Sequence, residues 1–196
     1  MSTRDRILDA AAEVLRTKGL ARATTKEIAK AAELSEAALY KHFSGKTELF
    51  LAVLGERVPG ELILRLRELD EWVGVGDLRG TLVELARAML VFFGESFPMA
   101  ASLFAEPELF AAHRAVLREQ GSGPQYVSQA VAGFLAAEQR AGRVSPAADP
   151  VSAAELLTGA CVQHAFLSHF RAGAESLEEV AERLVTALLA GLAPGR

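Results

Sequence analysis

Tyr40 and Lys41 stand side by side on a short helical pattern, residues 36–42, which follows another short pattern, residues 25–32, after only three residues. At helical spacing Ala38, Leu39 and Phe43 share one side of the second pattern, while Glu36, Ala37, Tyr40 and Lys41 share the other. The outward side is small at its N-terminal end and aromatic and basic further along. Small residues permit close approach to a groove, and a phenol and an ammonium can then reach phosphate oxygens or base edges. Glu36 has two readings: its carboxylate could accept from a cytosine amino group, or it could simply favour the positive end of the short helix. A second cluster, Cys161 and His164 three residues apart with His169 following, suggests a thiol-imidazole pair or part of a metal site. No acidic residue sits beside it at metal-binding spacing, so neither is expected. Gly74, Gly76 and Gly80 lack the preceding strand and the spacing of a phosphate loop, and read as a connector. No catalytic residue, metal or cofactor is expected, and the chain is not read as an enzyme.

Those groups need elements to hold them. Apolar residues recur at helical spacing nearly everywhere and nowhere alternate with period two, so the fold class is all-α. Ile7, Ala11, Val14 and Leu15 mark one face of a first helix, and Gly19 stands where a C-terminus favours a left-handed residue. Thr24 with Glu27 forms a capping box for a second helix, whose inner face would be Ile28, Ala31 and Ala32. Ser35 can cap the third. A fourth begins after Gly45, with Leu49, Phe50, Val53 and Leu54 inward, and Pro59 ends or kinks it. Two helices as short as the second and third, joined by three residues, must cross steeply, which makes a helix-turn-helix. Farther on, Leu82, Leu85, Met89 and Phe92 mark another helix, and Pro98 and Pro107 each read as the opening of a shorter one. A long helix is expected over 125–140, a further one from Asp149-Pro150 to about residue 170, and a last one from the Ser176/Glu179 capping box. The expectation is nine or ten helices.

The 196 residues carry a formal net charge of -4, which by itself argues against a polyanionic partner. Its distribution argues the other way: residues 1–50 carry nine basic and seven acidic groups, the remainder twelve and eighteen. A basic head on an acidic body follows. One cysteine cannot make an internal disulfide, and charges interrupt the N-terminal apolar residues, so a reducing, cytoplasmic setting without a membrane span is expected.

The stretch from Thr24 to Leu49 resembles the DNA-binding signature of the TetR/AcrR regulators, with Thr24, Thr25, Ile28, Ala29, Ala32, Ser35, Leu39, Tyr40, His42, Phe43, Lys46 and Leu49 in register. Glu33 and Leu34 depart from it, standing where the family keeps glycine and valine; a positive φ at Glu33 would cost on the order of 1 kcal/mol. The resemblance implies a three-helix DNA-binding domain, residues 1–48, and a larger helical ligand-binding and dimerisation domain, residues 49–196. It implies DNA-facing roles for Thr25, Ser35, Glu36, Ala37, Tyr40, Lys41, His42 and Lys46. Thr25, Tyr40 and Lys46 would meet phosphates, Lys41 is the best donor toward guanine, and His42 is divided between the core and a phosphate. Arg4 and Arg6 could extend into a neighbouring minor groove.

The same resemblance implies a homodimer built on the last two helices. The helix over 151–170 is apolar nearly all round and should be covered on two sides; Gly159 and Ala160 would admit a close partner, and Leu177, Ala181, Leu184 and Leu188 would complete the interface. Met89, Phe92, Phe93, Phe104, Phe110, Tyr126, Phe134, Gln163 and His164 are the candidates for a pocket holding a small hydrophobic effector. The function expected is that of a repressor, bound to a palindromic double-stranded operator and released by a ligand. A regulator that needs a co-ligand to bind, and an all-helical dimer whose head binds protein, are the alternatives; steep salt dependence separates DNA binding from the latter.

Overall fold

The computed structural model describes residues 1–57, 60–171, 173 and 175–192. Its elements among these residues are ten α-helices and two 3-10 turns, without strands: α1 Thr3–Lys18, α2 Thr25–Ala31, α3 Glu36–Leu39, α4 Lys46–Glu56, α5 Gly60–Glu68, α6 Leu78–Phe104, α7 Pro107–Glu119, α8 Gln125–Arg140, α9 Pro150–Ser168 and α10 Leu177–Leu192, with the 3-10 turns at Leu20–Arg22 and Leu69–Trp72. The expected stop or kink at Pro59 lies outside the described residues. No helix among the described residues is long and apolar enough to cross a membrane.

Local chemistry accounts for most of the boundaries. The Ser2 hydroxyl accepts from the Asp5 amide while the Asp5 carboxylate accepts from the Ser2 amide, a capping box that starts α1. Gly19 ends it with φ 73°, a conformation that favours glycine. Asp149 accepts from the amides of Val151 and Ser152 and starts α9 with Pro150 in its first turn.

Pro98 behaves differently from expectation. It does not open a helix but lies inside the 27-residue α6. A proline there forfeits one hydrogen bond and presses its ring against the carbonyl four residues back. That residue is Gly94, which brings no side chain to the crowded turn.

The chain packs as two units. The first comprises residues 1–58 and 96–121, the second residues 59–95 and 122–196, so α6 contributes its two ends to different units. In the first, Ile7, Leu8, Ala11 and Leu15 of α1 are buried with Ile28, Leu39, Phe43, Leu49 and Phe50 from the next three helices, and with Leu103 and Leu109. In the second, Leu82, Leu85 and Met89 of α6 pack with Val131, Phe134 and Leu135 of α8, Leu157 and Cys161 of α9, and Val180, Ala181 and Val185 of α10.

Within the second unit, Glu138 is 0% exposed yet charged. It accepts from the Gly74 amide at 3.0 Å and from Arg143, whose remaining donors reach the carbonyls of Gly76 at 2.8 Å and Val75 at 3.4 Å. The pair ties the glycine connector to the end of α8.

Candidate nucleic-acid interface

The helix-turn-helix is fixed by three local devices. Thr24 and Glu27 exchange capping bonds at 3.2 and 3.3 Å, and the Ser35 hydroxyl accepts from the Ala38 amide at 3.1 Å. Between them the chain reverses through Glu33, whose φ of 56° makes it the one non-glycine residue with positive φ among those described. The turn closes through the Leu34 amide on the Ala29 carbonyl at 2.9 Å and the Glu33 amide on the Lys30 carbonyl at 3.1 Å. Arg6 secures it from α1 by donating to the Ala32 carbonyl at 2.7 Å.

Ala29, not Ala31, joins Ile28 and Ala32 inside; Ala31 is exposed. Either alanine is compatible with the spacing of Ile28 and Ala32 on one face, and the Ala29 carbonyl also accepts from Leu34 in the turn. The third helix is also shorter than its pattern, since regular α geometry ends at Leu39. Lys41 and His42 donate their amides to the carbonyls three residues back, a tightened exit that delivers Phe43 to the core.

Its outward face holds Glu36, Ala37, Lys41 and His42, all exposed, and Tyr40, about half exposed; Ser35 is exposed at the cap. His42 thus faces solvent rather than the core. Glu36 does more than begin a helix. Its Oε1 accepts from the Thr25 hydroxyl at 2.6 Å, and that hydroxyl oxygen is 3.3 Å from the Tyr40 hydroxyl. The contact spans eleven residues, and the sequence reading missed it because it compared Glu36 only with neighbours on its own helix. Lys46, exposed overall, sends Nζ to 3.5 Å from the Leu20 carbonyl and 5.1 Å from the centre of the Phe50 ring.

Arg4 and Arg6 are not free to reach a groove. Arg4 makes a two-pronged bond to Glu56 at 2.6 and 2.7 Å and lies over the Phe43 ring, while Arg6 is committed to Ala32. Both belong to α1, and each finds its partner on a distant stretch of the first unit, 52 and 26 residues away. Arg57 adds a second strap, to Asp9 at 2.7 Å and Asp5 at 2.9 Å. The Ser2 hydroxyl, followed by Arg57, holds the Asp5 carboxyl down at about 2. Arg4 likewise keeps Glu56 below the usual carboxylate range. These straps tie the N-terminal part of α1 to the C-terminal end of α4.

Five of the residues singled out for a ligand pocket share the core of the second unit. Met89 and Phe134 are closed into the core of the second unit, with Phe92, Phe93 and Tyr126 half-buried against it. His164 is half-buried and Gln163 exposed on α9, whereas Phe104, 70% exposed, pairs with Phe110 in the first unit at 5.1 Å between ring centres. A cavity of about 300 Å³ in the second unit lies elsewhere, lined by Arg65, Glu68, Leu69, Trp72, Gly76, Asp77, Gly80, Thr81, Glu84 and Leu85.

Helix α9 buries Ala153, Ala154, Leu157, Cys161 and Ala165 and presents a second apolar face to solvent, with Leu156 70% and Phe170, just beyond its end, 73% exposed, and Val162 and Phe166 between. Gly159 on α9 and Leu177 on α10 are exposed, Ala160, Leu184 and Leu188 are half-buried, and Ala181 is closed into the chain's own core. Ala181 is therefore unavailable to a partner. Cys161 is buried, and burial pushes its thiol up to about 12, so it stays protonated and unreactive at neutral pH.

Residues 7–53 match the model of the family described as bacterial regulatory proteins, tetR family. The chain is 38% identical over 98 residues to the nucleoid occlusion factor SlmA of Aliivibrio fischeri, a stretch amounting to 48% of this chain and 47% of that one. It is 31% identical over 134 residues, 68% of this chain and 66% of the other, to the uncharacterized HTH-type transcriptional regulator YvkB of Bacillus subtilis. The chain spans about half the length of the SlmA relatives it matches. In fold it is similar to a Mesorhizobium loti chain assigned to the TetR-family transcriptional regulators, with TM-score 0.77, 22% identity and coverage of 97% and 96% of the two chains. It is also similar to the transcriptional regulator FadR of Bacillus subtilis solved with stearoyl-CoA, with TM-score 0.68, 15% identity and coverage of 96% and 98%. These two likenesses are of fold.

Proposed function

Because this chain belongs to the TetR family of bacterial regulatory proteins, we propose that it is a cytoplasmic repressor that binds a palindromic operator as a homodimer and releases it when a small apolar molecule binds. The observation that carries the reading is the strapped helix-turn-helix, with Ala37, Tyr40 and Lys41 on the exposed side of a short helix whose other side is buried. Ala37 permits close approach, Lys41 donates to a base edge, and Thr25, Tyr40 and Lys46 meet phosphates. Residues 1–48 form the reading head, and residues 49–196 hold the ligand site and the dimer contacts.

One such helix contacts too few bases for useful selectivity, whereas two related by a dyad read half-sites about one helical turn or more apart. The exposed apolar face around Leu156, Val162 and Phe166 supports the dimer, with Gly159, Leu177, Leu184 and Leu188 proposed to complete it, since an uncovered apolar surface of this kind marks an interaction site. Release by ligand follows from linkage: an effector that favours a spacing of the two heads unsuited to DNA must lower DNA affinity.

Fluorescence anisotropy with labelled duplex tests the docking. The Tyr40→Ala, Lys46→Ala double variant should bind every duplex more weakly, and Lys41→Ala should in addition lose about 1–3 kcal/mol of preference at one base position. Undiminished affinity of the double variant rejects this arrangement. Sedimentation of a Leu156→Glu, Phe166→Glu variant should give a monomer that binds the palindrome poorly; a dimer of normal affinity would remove the proposed interface.

A further inference from the structure

We propose that Glu36 is a built-in stand-in for a DNA phosphate: its carboxylate occupies the hydroxyl groups that would otherwise grip the DNA backbone, and so keeps the head from holding DNA indiscriminately. The inference rests on the DNA-reading assignment above. Its basis is the chain Tyr40, Thr25, Glu36. The Thr25 hydroxyl has one proton and gives it to Glu36 Oε1 at 2.6 Å. With that proton committed, the 3.3 Å contact between the Thr25 and Tyr40 oxygens must be a bond donated by Tyr40. Both hydroxyl protons therefore point along one relay that ends on an anionic oxygen.

A phosphate oxygen and a carboxylate oxygen are equivalent acceptors for such donors. DNA reaching this face must take Thr25, or Tyr40, or both away from Glu36. The displaced carboxylate then remains beside the phosphates on an exposed residue, where like charges repel. Both effects weaken binding to any duplex. They are recovered only where other contacts, those to matching bases, are good enough, so a residue that touches no base raises the threshold for stable binding. The device suits a head whose basic excess over residues 1–50 would otherwise favour any polyanion.

Glu36→Gln keeps an acceptor for Thr25 and removes the charge, while Thr25→Ala removes the donor. The 196-residue wild type, each single variant and the double variant are titrated by anisotropy, at several salt concentrations, against a duplex bearing a palindrome selected with the wild type from random double-stranded DNA and a scrambled duplex of equal length. Glu36→Gln should bind both duplexes roughly tenfold more tightly, with a steeper salt dependence. Thr25→Ala should weaken wild-type binding, because it removes a phosphate contact, and should weaken Glu36→Gln binding by a clearly larger factor, a non-additivity that a purely structural role would not give. Glu36 lies on the surface, and an unchanged thermal midpoint in each variant secures the comparison.

Equal or weaker binding of Glu36→Gln to both duplexes would overturn the inference and make the carboxylate a positioning group. A change confined to the palindrome would overturn it too, making Glu36 a reader of a base. In either case wild-type binding to the palindrome leaves the repressor reading intact. Failure of the wild type and every variant to bind either duplex would instead remove both.

Discussion

Replacing Arg143 by alanine removes its two bonds to Glu138 and its two bonds to the carbonyls of Gly76 and Val75. Glu138, 0% exposed in the wild type, is then left with the Gly74 amide as its donor. Breaking a buried ion pair by removing one partner costs about 3–5 kcal/mol. Arg143 is 25% exposed, so water entering the vacated space offsets part of this, and the expected loss is about 2–3 kcal/mol. For a chain of this size that corresponds to a fall of roughly 4–12 °C in the thermal midpoint. Urea unfolding followed by tryptophan fluorescence is well placed to read it, because the single tryptophan, Trp72, lies in the same unit close to Gly74.

The pH dependence adds a stricter check. In the wild type Arg143 chiefly, with the Gly74 amide, holds the Glu138 carboxyl below its ordinary range against the opposing effect of burial. That stability is fully present above the unfolded-state value and is lost as pH falls through the depressed folded value. Without Arg143, burial prevails and raises the group, so the variant is penalised at neutral pH and recovers as Glu138 takes up a proton. The gap between the two proteins should therefore narrow on acidification toward pH of about 4. A loss below about 0.5 kcal/mol, within the range of an ordinary surface substitution, or a gap that does not change with pH, would refute the assignment of Glu138 and Arg143 as a buried strut.

Three further outcomes follow from single residues. Glu33→Gly should stabilise the head by about 0.5–1 kcal/mol in urea, because it relieves a positive φ and loses only a loose, exposed contact with Arg6; destabilisation would mean that the turn is not strained. Asp5→Asn should lower the thermal midpoint at neutral pH, with the difference present above the ordinary aspartate range and vanishing as pH falls through about 2; a constant difference between pH 7 and 2 would contradict the Ser2 and Arg57 contacts as its cause. Cys161 should react with an aromatic disulfide reagent only as fast as the protein opens, because its buried thiol is pushed up to about 12; rapid stoichiometric labelling of the native protein would contradict its burial.

Where a side chain's partner lies within a few residues, the sequence announced the structure. Thr24 with Glu27, Ser35 before Ala38, and Asp149 with Pro150 each satisfy orphan amides locally, and each fixed a helix start before any tertiary contact was considered. Pro98 shows the limit of that logic. A proline near a helix start and one inside a helix look alike locally, and the difference lies in what stands four residues back, here Gly94, and in the packing of both ends of α6. Ala29 and Ala31 lie two residues apart at opposite edges of the apolar face, and spacing from Ile28 and Ala32 admits either, although Ala29 is the one buried. Glu138 was invisible for another reason: a glutamate in the last turns of an amphipathic helix reads as solvated unless Arg143 and Gly74 are known to converge on it.

The head illustrates the same division. The outward placement of Ala37, Tyr40 and Lys41 could be read from helical spacing alone. The diversion of Arg4 to Glu56 and of Thr25 to Glu36 could not, since their partners lie 52 and 11 residues away. Aromatic content marks apolar surface without saying whether it closes a core or lines a cavity, and here Phe134 does the former.

The central claim, a dimer that reads DNA, is tested most directly by selecting from random double-stranded DNA with the purified chain and then measuring anisotropy on the enriched sequence as salt is raised. The account predicts a palindrome with half-sites about one helical turn or somewhat more apart, and an affinity that falls steeply with salt. Enrichment of no sequence, together with binding insensitive to salt, would contradict it.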